Sequence, residues 1–171
     1  MKIAGTIPGA IPTKISVQAA DFDVGAEFAA LTAEHTDIGG IGCFVGTVRA
    51  NPTGPRLEAL TLEHYPAMTE RAIAGIVTEA GRRWPLLGCT VVHRFGRMLP
   101  GENIVLVLTA SAHRQAALEA TAFLIDWLKT QAPFWKQESF GDGSTTWVEA
   151  READDAAAAR WDQGSRLSPS P

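Results

Sequence analysis

The stretch SAHRQAALEATAFLIDWLKTQAPFWK, residues Ser111 to Lys136, decides the fold because it predicts one long helix with basic groups near both ends. Ser111 is the expected N-cap, and Pro133 ends the helix because proline disfavours helical geometry in the residue before it. Apolar residues at three- and four-residue spacing form one predicted buried face, made of Ala116, Ala120, Phe123, Leu124 and Trp127.

The two ends of this predicted helix carry different basic groups. His113 and Arg114 fall in the first turn, where a positive charge opposes the helix dipole unless an anion binds there. Lys129 falls in the last turn, and Lys136 follows Pro133. The alternative is a core helix whose basic ends are simply solvated, and spacing alone leaves both interpretations open.

Length and composition predict one soluble globular domain. The chain has 171 residues, of which 46% are hydrophobic and 20% charged, and its net charge of −4 argues against general nucleic-acid binding. An acid-free window, residues 80–101, nevertheless contains Arg82, Arg83, Arg94 and Arg97. This uneven charge favours a small anionic ligand or an acidic partner tail over a polymer.

The cysteines predict a reducing compartment. Cys43 and Cys89 lie in separate apolar segments without C-x-x-C or Cys/His metal spacing, so we expect two buried thiols rather than metal ligands. The sequence has no apolar run of about 18 residues and no compact signal core, which predicts a cytoplasmic protein.

The remaining elements predict an α+β fold, in which a mainly antiparallel, two-layer sheet is covered by helices. We expect an irregular N-terminal extension over residues 1–13, one domain over 14–161 and a disordered tail over 162–171. Strands are predicted at 14–19, 38–49, 57–64, 90–94, 103–110 and 146–149. Helices are predicted after Asp21 or Asp23, over 66–84, and in a final segment that ends at Trp161.

The segment at 38–49, IGGIGCFVGTVR, is a glycine-rich and predicted buried strand. Its glycines Gly40, Gly42 and Gly46 have the wrong spacing for a dinucleotide-binding loop, and no helix start follows them. We therefore expect them to allow another part of the backbone to approach closely.

An ordered set of short motifs resembles the large, catalytic subunit of molybdopterin synthase over roughly residues 38–151. The motifs are FVGTVR (Phe44 to Arg49), LEHY (Leu62 to Tyr65), HRFG (His93 to Gly96), SAHR (Ser111 to Arg114), APFWKQE (Ala132 to Glu138) and WVEAR (Trp147 to Arg151). The resemblance implies an α/β hammerhead-like fold with a small added subdomain, in agreement with the α+β prediction.

The resemblance also implies an activity. Members of this family insert two sulfurs into cyclic pyranopterin monophosphate and so form the dithiolene of molybdopterin. The sulfur arrives as a thiocarboxylate on the C-terminal Gly-Gly tail of a small ubiquitin-like subunit. Two large subunits form a homodimer, with one small subunit at each outer end of the heterotetramer. The resemblance implies no metal and no bound cofactor, because the reactive sulfur is imported.

Residue by residue, the resemblance implies two groups in the site. Lys129 and Lys136 match the family's catalytic lysines, which suit general acid or base chemistry beside an anionic sulfur donor. Arg49 matches a third active-site position, and Phe44 is expected to wall the same pocket. An anion-binding group suited to the cyclic phosphate comprises His113, Arg114 and Arg151.

Helix geometry predicts that this site is shared between two subunits. His113 and Lys129 are 16 residues apart, so a continuous helix separates their Cα atoms by about 24 Å. A dimer that brings His113, Arg114 and Arg151 beside the partner's lysines would unite the two groups, whereas a helix break near residues 120–122 would weaken this argument. Two other functions stay open: a non-catalytic adaptor that binds a partner's C-terminal tail, and a nucleotide-binding enzyme that uses the glycine-rich strand.

Overall fold

The structure, a computed structural model, describes the backbone of residues 11–51, 53–148 and 152–162. Its elements, in chain order, are β1 (Thr13–Gln18), α1 (Val24–Thr32), β2 (Gly40–Thr47), β3 (Leu57–His64), α2 (Pro66–Arg83), β4 (Leu86–Arg94), β5 (Gly96–Met98), β6 (Asn103–Ser111), α3 (Arg114–Thr130), β7 (Phe134–Phe140), β8 (Thr145–Val148) and α4 (Glu152–Ala159).

The strands form two four-stranded sheets. The first has the order β1-β4-β6-β2, with β1 and β4 parallel and the other pairs antiparallel. The second has the order β5-β3-β7-β8 and is antiparallel throughout. Helices α2 and α3 pack on one face of the first sheet and α1 packs on the other. The predicted α+β fold with a mainly antiparallel sheet covered by helices is confirmed.

Helix α3 is continuous over Arg114–Thr130, without a break near residues 120–122. Its N-cap is His113, so the prediction of Ser111 as N-cap is wrong. Ser111 instead ends β6, where pairing with Gly40 holds it extended, and its hydroxyl accepts a 3.2 Å hydrogen bond from the His113 N–H. The predicted apolar face is buried apart from Trp127, which is half-buried. The separation of about 24 Å between His113 and Lys129 therefore stands.

Gly40 and Gly42 of β2 let α3 approach the sheet closely, as predicted, whereas a Cβ atom at Gly46 would meet only side chains of neighbouring strand residues. A Cβ atom at Gly42 would collide with the Thr121 hydroxyl and the Ala117 carbonyl of α3. The same two groups bind β6, because the Thr109 hydroxyl donates to the Ala117 carbonyl at 2.7 Å and lies 2.7 Å from the Thr121 hydroxyl. Helix α3 is thus fixed over the boundary between β2 and β6.

We expect Gly42→Ala to lower the free energy of unfolding by about 1–3 kcal/mol, because the added methyl group overpacks the contact between β2 and α3. Urea denaturation measures this change. Gly75→Ala is the matched control: Gly75 lies in α2 with no atom within 4 Å of the added Cβ, so the same substitution should stabilise the helix by about 0.5–1 kcal/mol. Equal effects of the two substitutions would contradict the close approach at Gly42.

Some strands and one cysteine differ from the sequence predictions or were absent from them. Strands β5 and β7 were not predicted, and β4 begins earlier than expected, at Leu86. The prediction of two buried thiols is confirmed for Cys89 but wrong for Cys43, which is exposed. Strand β2 lies at the edge of its sheet and is mostly half-buried, so a residue on its open side reaches solvent.

Among the described residues, no helix is both long and apolar enough to cross a membrane.

Candidate active site

A cleft of about 1020 Å³ opens between the two sheets, beside the C-terminal end of α3. Its walls come from the end of β2, one face of β3 and β7, and the last turns of α3. Four of the predicted site residues line it: Phe44, Arg49, Lys129 and Lys136. The structure therefore brings together side chains that are up to 92 positions apart in the sequence.

Strand β7 places Lys136 in the cleft. Alternate residues of a strand face the same side, and Phe134, Lys136 and Glu138 all line the cavity. The Lys136 ammonium lies 3.1 Å from the Glu138 carboxylate, and the lysine side chain keeps 37% of its exposure. A pair this accessible adds little to stability, but it holds the ammonium toward the cavity. Glu138 lines the site without having been among the site residues predicted from the sequence.

Lys129 and Arg49 approach the cleft from other elements. Lys129 lies in the last turn of α3, as predicted, and is exposed. Arg49 follows β2 in a segment that two backbone hydrogen bonds anchor, from Val48 N–H to the Glu102 carbonyl at 2.9 Å and from Gly101 N–H to the Val48 carbonyl at 2.8 Å. Phe44 packs against the core beneath them. The cations thus come from a strand, a helix end and an anchored loop, which fixes their relative positions.

The second predicted group is not in this cleft. His113 and Arg114 lie exposed at the opposite end of α3 and do not line the cavity. Arg151 lies outside the described residues. Within one chain, the structure therefore assembles the lysine group and leaves His113 and Arg114 at the far end of the helix.

His93 is a buried residue of the cleft that sequence reasoning missed. Its ring stacks on Phe134 at a centroid distance of 3.9 Å, and burial lowers its pKa to about 4, so it is neutral at pH 7. The His93 Nδ1 atom lies 2.9 Å from the Arg94 carbonyl, which can only accept, so Nδ1 carries the proton and Nε2 is the acceptor. This histidine supports Phe134 at the start of β7. It belongs to the HRFG motif that carries the family resemblance, but that motif gave it no role in the site.

The arrangement suits a small anionic ligand. Two lysines and an arginine line the cleft together with apolar side chains that include Leu60 and Leu62. An anion in the cleft would therefore bind next to cations and away from bulk water. Among the described residues, no group of His, Cys, Asp and Glu side chains could hold a metal ion. Fold and site together define an α+β protein with a cation-lined cleft fit for acid–base or group-transfer chemistry on an anionic substrate.

Comparison with known proteins places this architecture in one family. The family model described as MoaE protein matches residues 17–131. The chain is 55% identical over 152 residues to the molybdopterin synthase catalytic subunit of Mesorhizobium japonicum, covering 88% of this chain and 94% of that protein. It superposes on the molybdopterin biosynthesis MoaE protein of Burkholderia ambifaria with a TM-score of 0.74 at 50% identity, covering 89% of this chain and 99% of that one.

The chain belongs to the MoaE protein family, and the resemblance inferred from its motifs is confirmed. A more distant structure, the protein–protein complex of subunits 1 and 2 of the molybdopterin-converting factor of Helicobacter pylori, shares the fold. Its TM-score is 0.64 at 21% identity, and the match covers 81% of this chain and 90% of that one.

Proposed function

We propose that this chain is the catalytic subunit of a molybdopterin synthase, which transfers sulfur to cyclic pyranopterin monophosphate and forms the dithiolene of molybdopterin. The observation that carries the proposal is the cleft in which Lys129, Lys136, Arg49 and Phe44 meet. The name of the relative from Mesorhizobium japonicum, a molybdopterin synthase catalytic subunit, supports it.

The proposed sulfur donor is the C-terminal thiocarboxylate of a small ubiquitin-like subunit. A thiocarboxylate is an anion at the end of an extended chain, so it needs a narrow entry and cations at the far end. Gly46 and the apolar side chains of Leu57 and Leu60 line the cleft without adding charge, while Lys129 and Lys136 supply the cations. In this assignment, the lysines stabilise the anion and exchange protons as sulfur moves to the pterin.

The anion-binding group is proposed to come from the second subunit of a homodimer. The continuous helix keeps His113 and Arg114 about 22–24 Å from Lys129 within one chain, too far to hold one small pterin together. A two-fold axis can bring the N-terminal end of one α3 beside the C-terminal end of the other. The phosphate of the pterin would then bind His113, Arg114 and Arg151 of one subunit while the lysines of its partner act on the reacting carbons.

A non-catalytic adaptor is the alternative in which the lysines only pair with a partner's tail. The test is incubation of the chain with thiocarboxylated small subunit and cyclic pterin, followed by detection of the dithiolene product. Turnover supports the enzyme, whereas tail binding without product supports the adaptor. A nucleotide-binding enzyme is disfavoured, because the glycines expected to cradle phosphates lie in strand β2 and Gly42 is covered by α3.

We also infer that the protein works in the cytoplasm. Both cysteines are unpaired, which fits a reducing compartment. Burial raises the pKa of Cys89 to about 12, so this thiol stays protonated and unreactive at neutral pH.

If the sulfur comes from the partner, the chain's own thiols are dispensable. We expect Cys43→Ser and Cys89→Ser, alone and combined, to retain turnover with thiocarboxylated donor. Cys89→Ser should lower stability because it puts a hydroxyl in a fully buried apolar position. The measurement is product formed per subunit, with circular dichroism to confirm folding. A folded double variant that cannot transfer sulfur would show that this chain, and not the donor, carries it.

A further inference from the structure

His93 lies where the first sheet borders the cleft. It pairs with Val105 of β6, and Val105 pairs in turn with Gly46 of β2. Paired residues of neighbouring strands direct their side chains to the same face of a sheet, and all three residues line the cleft. Strand β4 is an inner strand of the sheet, and His93 is 6% exposed. The histidine is therefore a buried polar residue on one wall of the cleft.

The two ring nitrogens of His93 have different surroundings. Nδ1 donates to the Arg94 carbonyl at 2.9 Å, whereas Nε2 has no hydrogen-bond partner among the described residues. The Nδ1 atom of His64 also lacks a partner there, and it is fully enclosed by protein. The Nε2 atom of His93 is not enclosed in this way, because its ring borders the cleft. The lone pair of Nε2 is thus open to a ligand in the cleft.

Two contacts fix the orientation of this ring. It stacks on Phe134 with an interplanar angle of 16°, and the hydrogen bond from Nδ1 prevents the ring from turning over. Burial lowers the pKa of His93 to about 4, so the ring stays uncharged at neutral pH. Nε2 is therefore a rigid, uncharged hydrogen-bond acceptor.

The other acceptors of the cleft are more accessible to water. The side chains that line it and can accept a hydrogen bond are those of Thr47, Asn51, His93, Thr130 and Glu138. Thr47 and Asn51 are exposed, and Thr130 and Glu138 are half-buried. Of these five, His93 is the buried one. It therefore suits a ligand group that has lost its water.

We propose that the Nε2 atom of His93 accepts a hydrogen bond from an uncharged N–H group of the bound substrate. The proposal rests on the proposed function, whose two substrates both carry such groups: the backbone amides of the small subunit's C-terminal tail and the ring N–H groups of the pterin. An N–H group that enters the cleft leaves water, and it binds poorly if it finds no acceptor. The cations of the cleft cannot serve it, since lysine and arginine only donate.

Two substitutions separate the acceptor from the ring. His93→Phe keeps an aromatic ring against Phe134 but removes the acceptor, so it should raise the KM of the contacted substrate by about 10–100-fold. His93→Gln loses the ring but keeps an acceptor oxygen, so its KM should stay within about tenfold of the wild-type value. The measurements are KM and kcat for thiocarboxylated small subunit and for cyclic pterin, with the thermal midpoint of unfolding. If His93→Phe does not fold, the smaller His93→Leu takes its place. Normal KM values in the folded variant without an acceptor would overturn the proposal.

His64→Phe is the matched control. His64 pairs with Phe134 across β3 and β7, with ring centroids 5.7 Å apart, but it does not line the cleft. The same substitution there removes a buried nitrogen that has no partner, so it should leave both KM values unchanged. Equal losses in His64→Phe and His93→Phe would show that both histidines merely support Phe134, which would overturn the contact with substrate.

A modified sulfur donor distinguishes the two sources of the N–H group. N-methylation of one or the other terminal glycine removes one tail N–H. If the tail is the source, one of these donors should bind the wild-type protein about 10–100-fold more weakly, with little further loss in the variant without an acceptor. If the pterin is the source, its KM should rise in that variant and both methylated donors should behave alike in the two proteins. Methylation effects that are equal in both proteins, with an unchanged KM for pterin, would overturn the proposal.

Calorimetry separates this proposal from the proposed function. If the wild-type protein forms no dithiolene, the function fails, but binding of cyclic pterin and of small subunit with an ordinary C-terminal carboxylate can still be compared. Binding of one of them about 10–100-fold more weakly to the variant without an acceptor supports the contact. Equal binding of both to the two proteins overturns it. Wild-type turnover with KM values that His93→Phe leaves unchanged would overturn the contact and leave the function intact.

Discussion

Lys129→Ala is expected to lower product formation by about 10²–10⁴-fold, the range for loss of a general acid or base, while leaving the fold intact. Lys129 is exposed in the last turn of α3 and lines the cleft, so truncation removes a charge from the site without opening a cavity in the core. The measurement is product formed per minute with thiocarboxylated small subunit and cyclic pterin, together with the thermal midpoint of unfolding.

Two other lysine variants show whether the loss of activity is specific to the cleft. Lys14→Ala is the matched control, since Lys14 is also exposed but pairs with Glu27 outside the cleft, and it should keep full activity. Lys136→Ala should be severe, with both substrate affinity and rate affected, because its ammonium lies inside the cleft beside Glu138. Full activity in a correctly folded Lys129→Ala protein would remove the lysine from the mechanism.

The sequence predicted the buried face and the C-terminal end of α3 because both are marked locally. Apolar residues at three- and four-residue spacing identify the face, and Pro133 stops the helix. The prediction of Ser111 as the N-cap was wrong because this residue, although its side chain suits a cap, belongs to β6, where pairing with β2 outweighs its local preference. Strand pairing is a long-range property, and a local signal at one residue does not contain it.

Strand β7 was missed for a related reason. In Phe134–Phe140, the positions that face the cleft include Lys136 and Glu138, so the strand lacks the apolar alternation that normally reveals one. The polar residues that line the site thus remove the sequence pattern by which this strand could have been predicted. Cys43 was assigned to the core because its neighbours are apolar, and sequence alone does not show whether such a strand lies at the centre or at the edge of a sheet.

Four of the seven predicted site residues line the cleft, whereas His113 and Arg114 lie at the other end of α3 and Arg151 lies outside the described residues. Motif resemblance grouped Phe44, Arg49, Lys129 and Lys136, and the structure gathers these four in one cleft. The sequence singles out neither His93 nor Glu138 as a site residue, because their importance depends on contacts with Phe134 and Lys136 that form only in the folded sheet. The role of each residue in catalysis stays a prediction for the experiments described.

Mixing two inactive variants should restore activity if the site is shared between subunits. Arg114→Ala damages the anion-binding group and Lys129→Ala damages the lysine group, so each homodimer has two defective pockets. In a mixed dimer, one pocket combines the intact Arg114 of one chain with the intact Lys129 of the other, and the second pocket carries both defects. We expect the purified mixed dimer, isolated through two different affinity tags, to recover up to about half of the wild-type activity per dimer.

A second mixture provides the control, because Lys129 and Lys136 line the same cleft of the same chain. Mixing Lys129→Ala with Lys136→Ala leaves every pocket with one missing lysine, so this mixture should stay inactive. Recovery in the first mixture and none in the second can arise only when Arg114 acts across the subunit boundary while both lysines act together. If every pocket lay within one chain, both mixtures would remain inactive, and the continuous helix α3 would then require substrate to bind at one of its ends alone.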